Sequence, residues 1–158
     1  REWDLKYTNR PYPELREKFV SFIYKAFFEK RVNTISEAIN LAKTAFNLSN
    51  KVISSFGTAL KFSGQFVGTD GYDYVSLNTP VVLTGTEEEL LISLNCFYIK
   101  NILKQEDIYR TELKALSIYI LGKEDEKTAG FIMKYLIDKQ EVTLDNDCYM
   151  YRRTLPVQ

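Results

Sequence analysis

Acid–base or nucleophilic chemistry calls for a histidine, or for a serine or cysteine with an activating partner nearby. This chain of 158 residues has no His, and its two cysteines, Cys96 and Cys148, fit no metal-ligand spacing. Its acidic clusters are Glu87-Glu88-Glu89 and Glu124-Asp125-Glu126. Each opens a predicted helix, where negative charge offsets the helix dipole and so has a structural reason. Gly68-Thr69-Asp70-Gly71 lacks the lysine of a phosphate loop and falls in a predicted hairpin rather than before a helix. The reading is a non-enzyme, with no catalytic residue, no metal and no cofactor.

Binding chemistry is what remains. Phosphate contacts need clustered cations. Here 21 basic residues balance 21 acidic ones. Residues 1–79 hold 11 basic and 8 acidic residues, a net of +3, and residues 80–158 hold 10 and 13, a net of −3. The adjacent basic pairs are Lys30-Arg31 and Arg152-Arg153, which are the possible nucleic-acid contacts. A predicted helix over 50–62 carries Lys51, Ser54, Ser55, Thr58 and Lys61, polar but thinly charged, and no Arg to read guanine. The hairpin after it brings Asp70 and Asp73, the wrong sign for phosphate. The matching helix of the second half balances Asp125, Glu126 and Asp138 against Lys127, Lys134 and Lys139. A surface of small polar side chains is cheap to desolvate. Ser54, Ser55, Thr58, Lys61, Gln65 and Tyr72 are therefore the expected protein-docking residues, with Gly57 among the small residues of that surface.

The elements that position these residues repeat once. Pro13 to Lys30 predicts a helix with Leu15, Phe19, Phe22, Ile23, Ala26 and Phe27 on one face. Val32 to Thr34 is a short extended step. Thr34 and Glu37 form a capping-box pair for a helix with Ile39, Ala42 and Phe46. Ser49 or Asn50 caps a third, with Val52, Ile53, Phe56, Leu60 and Phe62 on its apolar face and Gly64 at its end. Gln65–Val67 and Tyr72–Leu77 predict two strands turning at Asp70-Gly71. Asn78-Thr79-Pro80 marks a boundary.

The order then recurs. Thr86 and Glu89 cap a helix to about Lys104, with Leu90, Leu91, Leu94, Tyr98 and Ile102 inward. Ile108-Tyr109 is extended. Thr111 caps a helix with Leu113, Leu116, Ile118 and Ile120, ended by Gly122, and Asp125 caps one with Ala129, Ile132, Met133 and Leu136. Val142–Leu144 and Cys148–Arg152 close a second hairpin at Asp145-Asn146-Asp147. The predicted fold class is mostly α with small β-wings: two winged-helix units of the helix-turn-helix type in tandem. An N-terminal arm covers 1–12, the first unit 13–79 and the second 80–158.

Other features set context. The 11 Tyr and 10 Phe suit cores and half-buried interfaces. Two isolated cysteines fit a reducing compartment inside a cell. No apolar run is long enough to span a membrane. The start at Arg1 suggests a piece of a longer or processed protein.

One stretch carries a resemblance. Ile53-Ser54-Ser55-Phe56-Gly57-Thr58-Ala59-Leu60, then Gly64-Gln65-Phe66-Val67 and Asp70-Gly71-Tyr72-Asp73-Tyr74-Val75, resembles the third helix and wing of the first winged helix in the middle subunit of the telomere-capping CST complex. That subunit is similar to the middle subunit of replication protein A. About 25 residues match closely, and the rest agrees in architecture. The resemblance implies a C-terminal tandem winged-helix region. It also implies nuclear, telomeric localisation, and protein partners in a telomere or replication complex, linking it to telomerase or DNA polymerase α-primase. Direct nucleic-acid binding by this region is expected to be weak or absent. The alternative is a winged-helix DNA-binding domain of a transcription or replication factor.

Overall fold

The computed structural model describes residues 12–71 and 75–153. Residues 1–11 of the expected arm, and Tyr72 and Asp73 of the expected first wing, lie outside them. Among the described residues the chain is mostly helical, with six α-helices and two small antiparallel sheets. It divides into two compact units, one Glu14–Leu94 and the other built on the chain from Asn95 onward together with Pro13. The expected boundary at 79/80 and this division differ because a continuous helix, not a loop, carries the chain from one unit into the next.

In the first unit, α1 (Pro13–Phe28), α2 (Ile35–Phe46) and α3 (Asn50–Lys61) precede a ribbon of β1 (Phe66–Gly68) and β2 (Val81–Leu83). Local signals set the helix starts. Thr34 Oγ1 accepts the Glu37 backbone N–H at 3.1 Å, and Ser49 Oγ accepts that of Val52 at 3.3 Å. The core joins Phe19, Val20 and Ile23 of α1, Ile35, Ala38 and Ala42 of α2, and Phe56, Ala59 and Leu60 of α3. Phe19 and Phe56 stack with ring centroids 4.2 Å apart. Gly57 lets α2 approach α3, since a Cβ there would stand 3.1 Å from Ile39 Cδ1.

Three expectations need correction here. Of the strand expected over Tyr72–Leu77, the described part, Val75–Leu77, is not in a ladder, and β1 pairs instead with Val81–Leu83 in the register Phe66↔Leu83, Val67↔Val82, Gly68↔Val81. The turn at Asp70-Gly71 forms, with Gly71 N–H on Gly68 C=O at 3.0 Å, but it opens a longer excursion. Leu77 lies against α2, where Ser36 N–H reaches its C=O at 2.8 Å, and Ser76 and Thr79 close a turn of their own. The backbone there is thereby occupied, and the β-branched run after Pro80 takes the ladder. Phe62 was expected inside, yet α3 ends at Lys61 and Phe62 is 61% exposed. Gly57 is buried against Ile39, so it is no part of an outer surface.

The second unit follows from α4 (Glu87–Leu103), whose start is a complete capping box. Glu89 N–H bonds Thr86 Oγ1, and Thr86 N–H bonds Glu89 Oε1, both at 3.1 Å. Then come β3 (Ile108–Tyr109), a 3-10 turn (Arg110–Glu112), α5 (Leu113–Leu121), α6 (Glu126–Asp138), β4 (Val142–Asp145) and β5 (Cys148–Tyr151). The sheet order is β3-β5-β4, all antiparallel. Asn146 and Asp147, both at positive φ, make the two-residue turn, and Asp147 pairs with Arg110 beside it. Asp125 caps α6 through Thr128 N–H at 3.1 Å and Thr128 Oγ1 at 2.6 Å, bonds that hold its carboxyl below the usual range.

Two expectations fail in this unit. Thr111 does not cap α5. The 3-10 turn precedes it, and Glu112 instead accepts the Tyr109 backbone N–H at 2.9 Å. Ile118 is 50% exposed because Ser117, not Ile118, faces inward. Ser117 Oγ there donates to Lys114 C=O and accepts the Asp125 N–H.

Several helices end on a left-handed residue. Lys30 (φ 57°) and Gln140 (φ 62°) close Schellman motifs, with Arg31 N–H on Ala26 C=O and Glu141 N–H on Leu136 C=O. Gly122 ends α5 at φ 73°, and a Cβ there would meet Pro13 at 3.3 Å. Gly122→Ala is expected to cost about 1–2 kcal/mol from the left-handed backbone alone. A thermal melt that moves by less than a degree would contradict that.

Candidate functional site

The expected docking residues come together only in part. Ser54 and Thr58 lie exposed on α3, one turn apart, and the Thr58 hydroxyl is spent on Ser54 C=O at 3.0 Å. Ser55 is half-buried. Lys61 is half-buried too, its ammonium 5.4 Å from the Phe62 ring centroid. Gln65 leaves the helix surface and serves the ribbon, where its carbonyl accepts Thr84 N–H at 2.7 Å and Thr84 Oγ1 at 3.0 Å. Tyr72 falls outside the described residues. The outer face of α3 is thus small and polar, with Lys51 and Lys61 as its cations.

The basic pairs sit in different units. Lys30 and Arg31 are exposed at the end of α1. Arg152 is half-buried, with its N–H on Glu141 C=O at 2.9 Å. Arg153 turns its guanidinium onto Lys104 C=O at 3.0 Å, and Lys104 lies over the Tyr151 ring at 5.5 Å. The Arg153 guanidinium is thus engaged within its own unit, whereas the bond shown for Arg152 is made by its backbone. On α6, Lys127, Lys134 and Asp138 are exposed around Phe131, itself 55% exposed.

The sequence reading passed over one feature of the first unit. The last turn of α1 and strand β2 enclose a groove of about 280 Å³ lined by Tyr24, Phe27, Phe28, Val32, Val81, Val82 and Leu83, with Lys30, Asn33, Thr69 and Gly85 at its edges. Phe27 is fixed edge-on against Phe66 at 5.1 Å. Phe28 is 75% exposed and Val82 54% exposed. The Schellman turn at Lys30 swings the chain away from α1 and so leaves Phe28 uncovered. At Gly85 (φ 82°) a Cβ would stand 2.4 Å from Gln65 Oε1, so glycine lets the chain turn sharply past the ribbon. The one available signal was a run of aromatics, Tyr24, Phe27 and Phe28, too dense for a single buried stripe.

No cluster of three metal-ligating side chains occurs among the described residues, and no helix there is long and apolar enough to cross a membrane. Cys96 is buried beside α4's neighbours, and burial pushes its thiol up to about 12. No protein-family description, curated protein or solved structure matches this chain.

Proposed function

We propose that this chain is a non-catalytic protein-interaction module made of two winged-helix units. We propose further that it serves a telomere-maintenance assembly of the CST kind, linking it to telomerase or to DNA polymerase α-primase. The observation that carries the interaction reading is the contrast between its surfaces. The helix that would enter a DNA groove shows serine, threonine and two lysines, one laid over Phe62, whereas the apolar side chains of Phe28 and Val82 stand open beside a groove. The order of helices and ribbon in each unit, and the β3-β5-β4 sheet, support the winged-helix reading. The telomeric assignment is supported by the residues from Ile53 to Val75 that resemble the CST middle subunit.

The test is calorimetric titration of purified polymerase α-primase and of purified telomerase, from the organism that carries the chain, into the 158-residue chain. Saturable binding to either, in the micromolar range or tighter, is the expected result. If neither binds, the telomeric assignment is wrong. Ser55→Glu locates the contact. Weakened binding at an unchanged melting temperature is expected if α3 docks the partner. Unchanged binding would move the contact elsewhere on the chain.

A further inference from the structure

We infer that the groove between the end of α1 and β2 takes an extended peptide whose apolar side chains fill the groove and whose flanking acidic residues lie beside Lys30 and Arg31. The inference deepens the reading of the chain as a protein-interaction module and rests on it. Three observations select this occupant. The first is size and lining. A groove of about 280 Å³ walled by Tyr24, Phe28 and Val82 suits one or two large side chains rather than a folded surface.

The second is the sheet edge. In the second unit the central strand β5 is paired on both sides. In the first, among the described residues, β2 has a partner strand only in β1, and on its other side Val81 N–H alone reaches across, to Asn33 C=O at 2.8 Å. The Thr84–Gln65 and Thr69–Pro80 bonds fix the alternation of the ladder. They set Val67 and Val82 facing each other through hydrogen bonds, so the N–H and C=O of Leu83 point away from β1, on the Asn33 side. An extended peptide added there gains main-chain bonds at Leu83 while alternate side chains drop toward Phe28 and Val82.

The third is charge. Lys25 is partnered by Glu29 at 4.0 Å, whereas Lys30 and Arg31 are exposed and make no ion pair among the described residues. Lys30 lines the slot and Arg31 follows it in the chain, so two cations without an ion pair among the described residues favour acidic flanks. They are too few to hold a nucleic-acid backbone, and the apolar walls offer phosphate nothing.

The test uses a phage-displayed library of twelve-residue peptides panned on the full chain, with the strongest sequence then synthesised and titrated. Enrichment of apolar pairs flanked by Asp or Glu is expected, with at least tenfold weaker binding to Val82→Glu and to Phe28→Asp. Phe28 is so exposed that its replacement leaves the core intact, which guards against a Val82 variant that fails to fold. In the double variant Lys30→Glu, Arg31→Glu, selection should turn toward basic flanks. Peptides that bind Val82→Glu and Phe28→Asp as tightly as the parent overturn the groove and leave the interaction-module reading standing. If no peptide is enriched, the groove inference fails. If, besides, a single-stranded oligonucleotide binds tightly and is lost in the double variant, both readings fail.

Discussion

Phe56→Ala is expected to remove about 3–5 kcal/mol of stability, read from urea denaturation by circular dichroism. Phe56 has no exposed surface and stacks on Phe19 of α1, itself 1% exposed, at 4.2 Å. Truncation leaves a cavity bounded by two helices and removes a ring pair worth about 0.5–1.5 kcal/mol beyond its buried area. Because α3 and α1 meet through this ring, neither helix can close the void without moving the other. Domains commonly hold only about 5–15 kcal/mol in total. The variant should therefore be partly unfolded near body temperature, while Phe56→Leu, which keeps most of the volume, should lose far less. A loss under about 1 kcal/mol for the alanine variant would mean that the ring is not in the core as described.

Cys96 sets a second large effect, on the alkaline side. Burial raises its thiol to about 12 in the folded chain, against an ordinary value near 9.0. Between those values the folded state keeps a proton that the unfolded state has lost. Stability must then fall as pH rises from about 9 toward 12, by up to about 1.4 kcal/mol per pH unit while only the unfolded form is ionised. Lys139 and Lys100 pull the other way but weigh less than burial. Tyrosines and lysines titrate in the same range, so the comparison is between the parent and Cys96→Ala. The parent's stability should drop more steeply above pH 9. Parallel curves would show that Cys96 is not held as a buried neutral thiol.

What the sequence revealed was mostly local. Thr34, Ser49, Thr86 and Asp125 each cap the helix expected of them, because a capping bond spans only two or three residues. The choice of strand partner for β1 was not local. Tyr72–Leu77 and Val81–Leu83 both carry strand-forming residues, and a bond between Leu77 and Ser36, far apart in sequence, separates them. Helical periodicity placed Phe62 and Ile118 inside, yet periodicity does not say where a helix stops or where a serine with two local bonds takes the inner face. Lys30 and Gln140 end helices in the left-handed region without glycine to announce it. The groove was hidden for the same reason as the strand. Its walls come from 24–33, Thr69 and 81–85, which only the folded chain brings together.

That this chain recognises protein rather than nucleic acid is tested most directly by titrating labelled duplex and single-stranded DNA at about 50 mM and 200 mM salt. A protein gripping six to ten phosphates would lose roughly 10³–10⁵ in affinity across that interval. Here the outer face of α3 carries two lysines, and Arg153 is turned onto Lys104. The expected result is binding no tighter than the non-specific range, about 10⁻⁴–10⁻⁶ M, with a shallow salt dependence. Nanomolar binding that collapses at the higher salt would contradict the account and make the chain a DNA-binding domain.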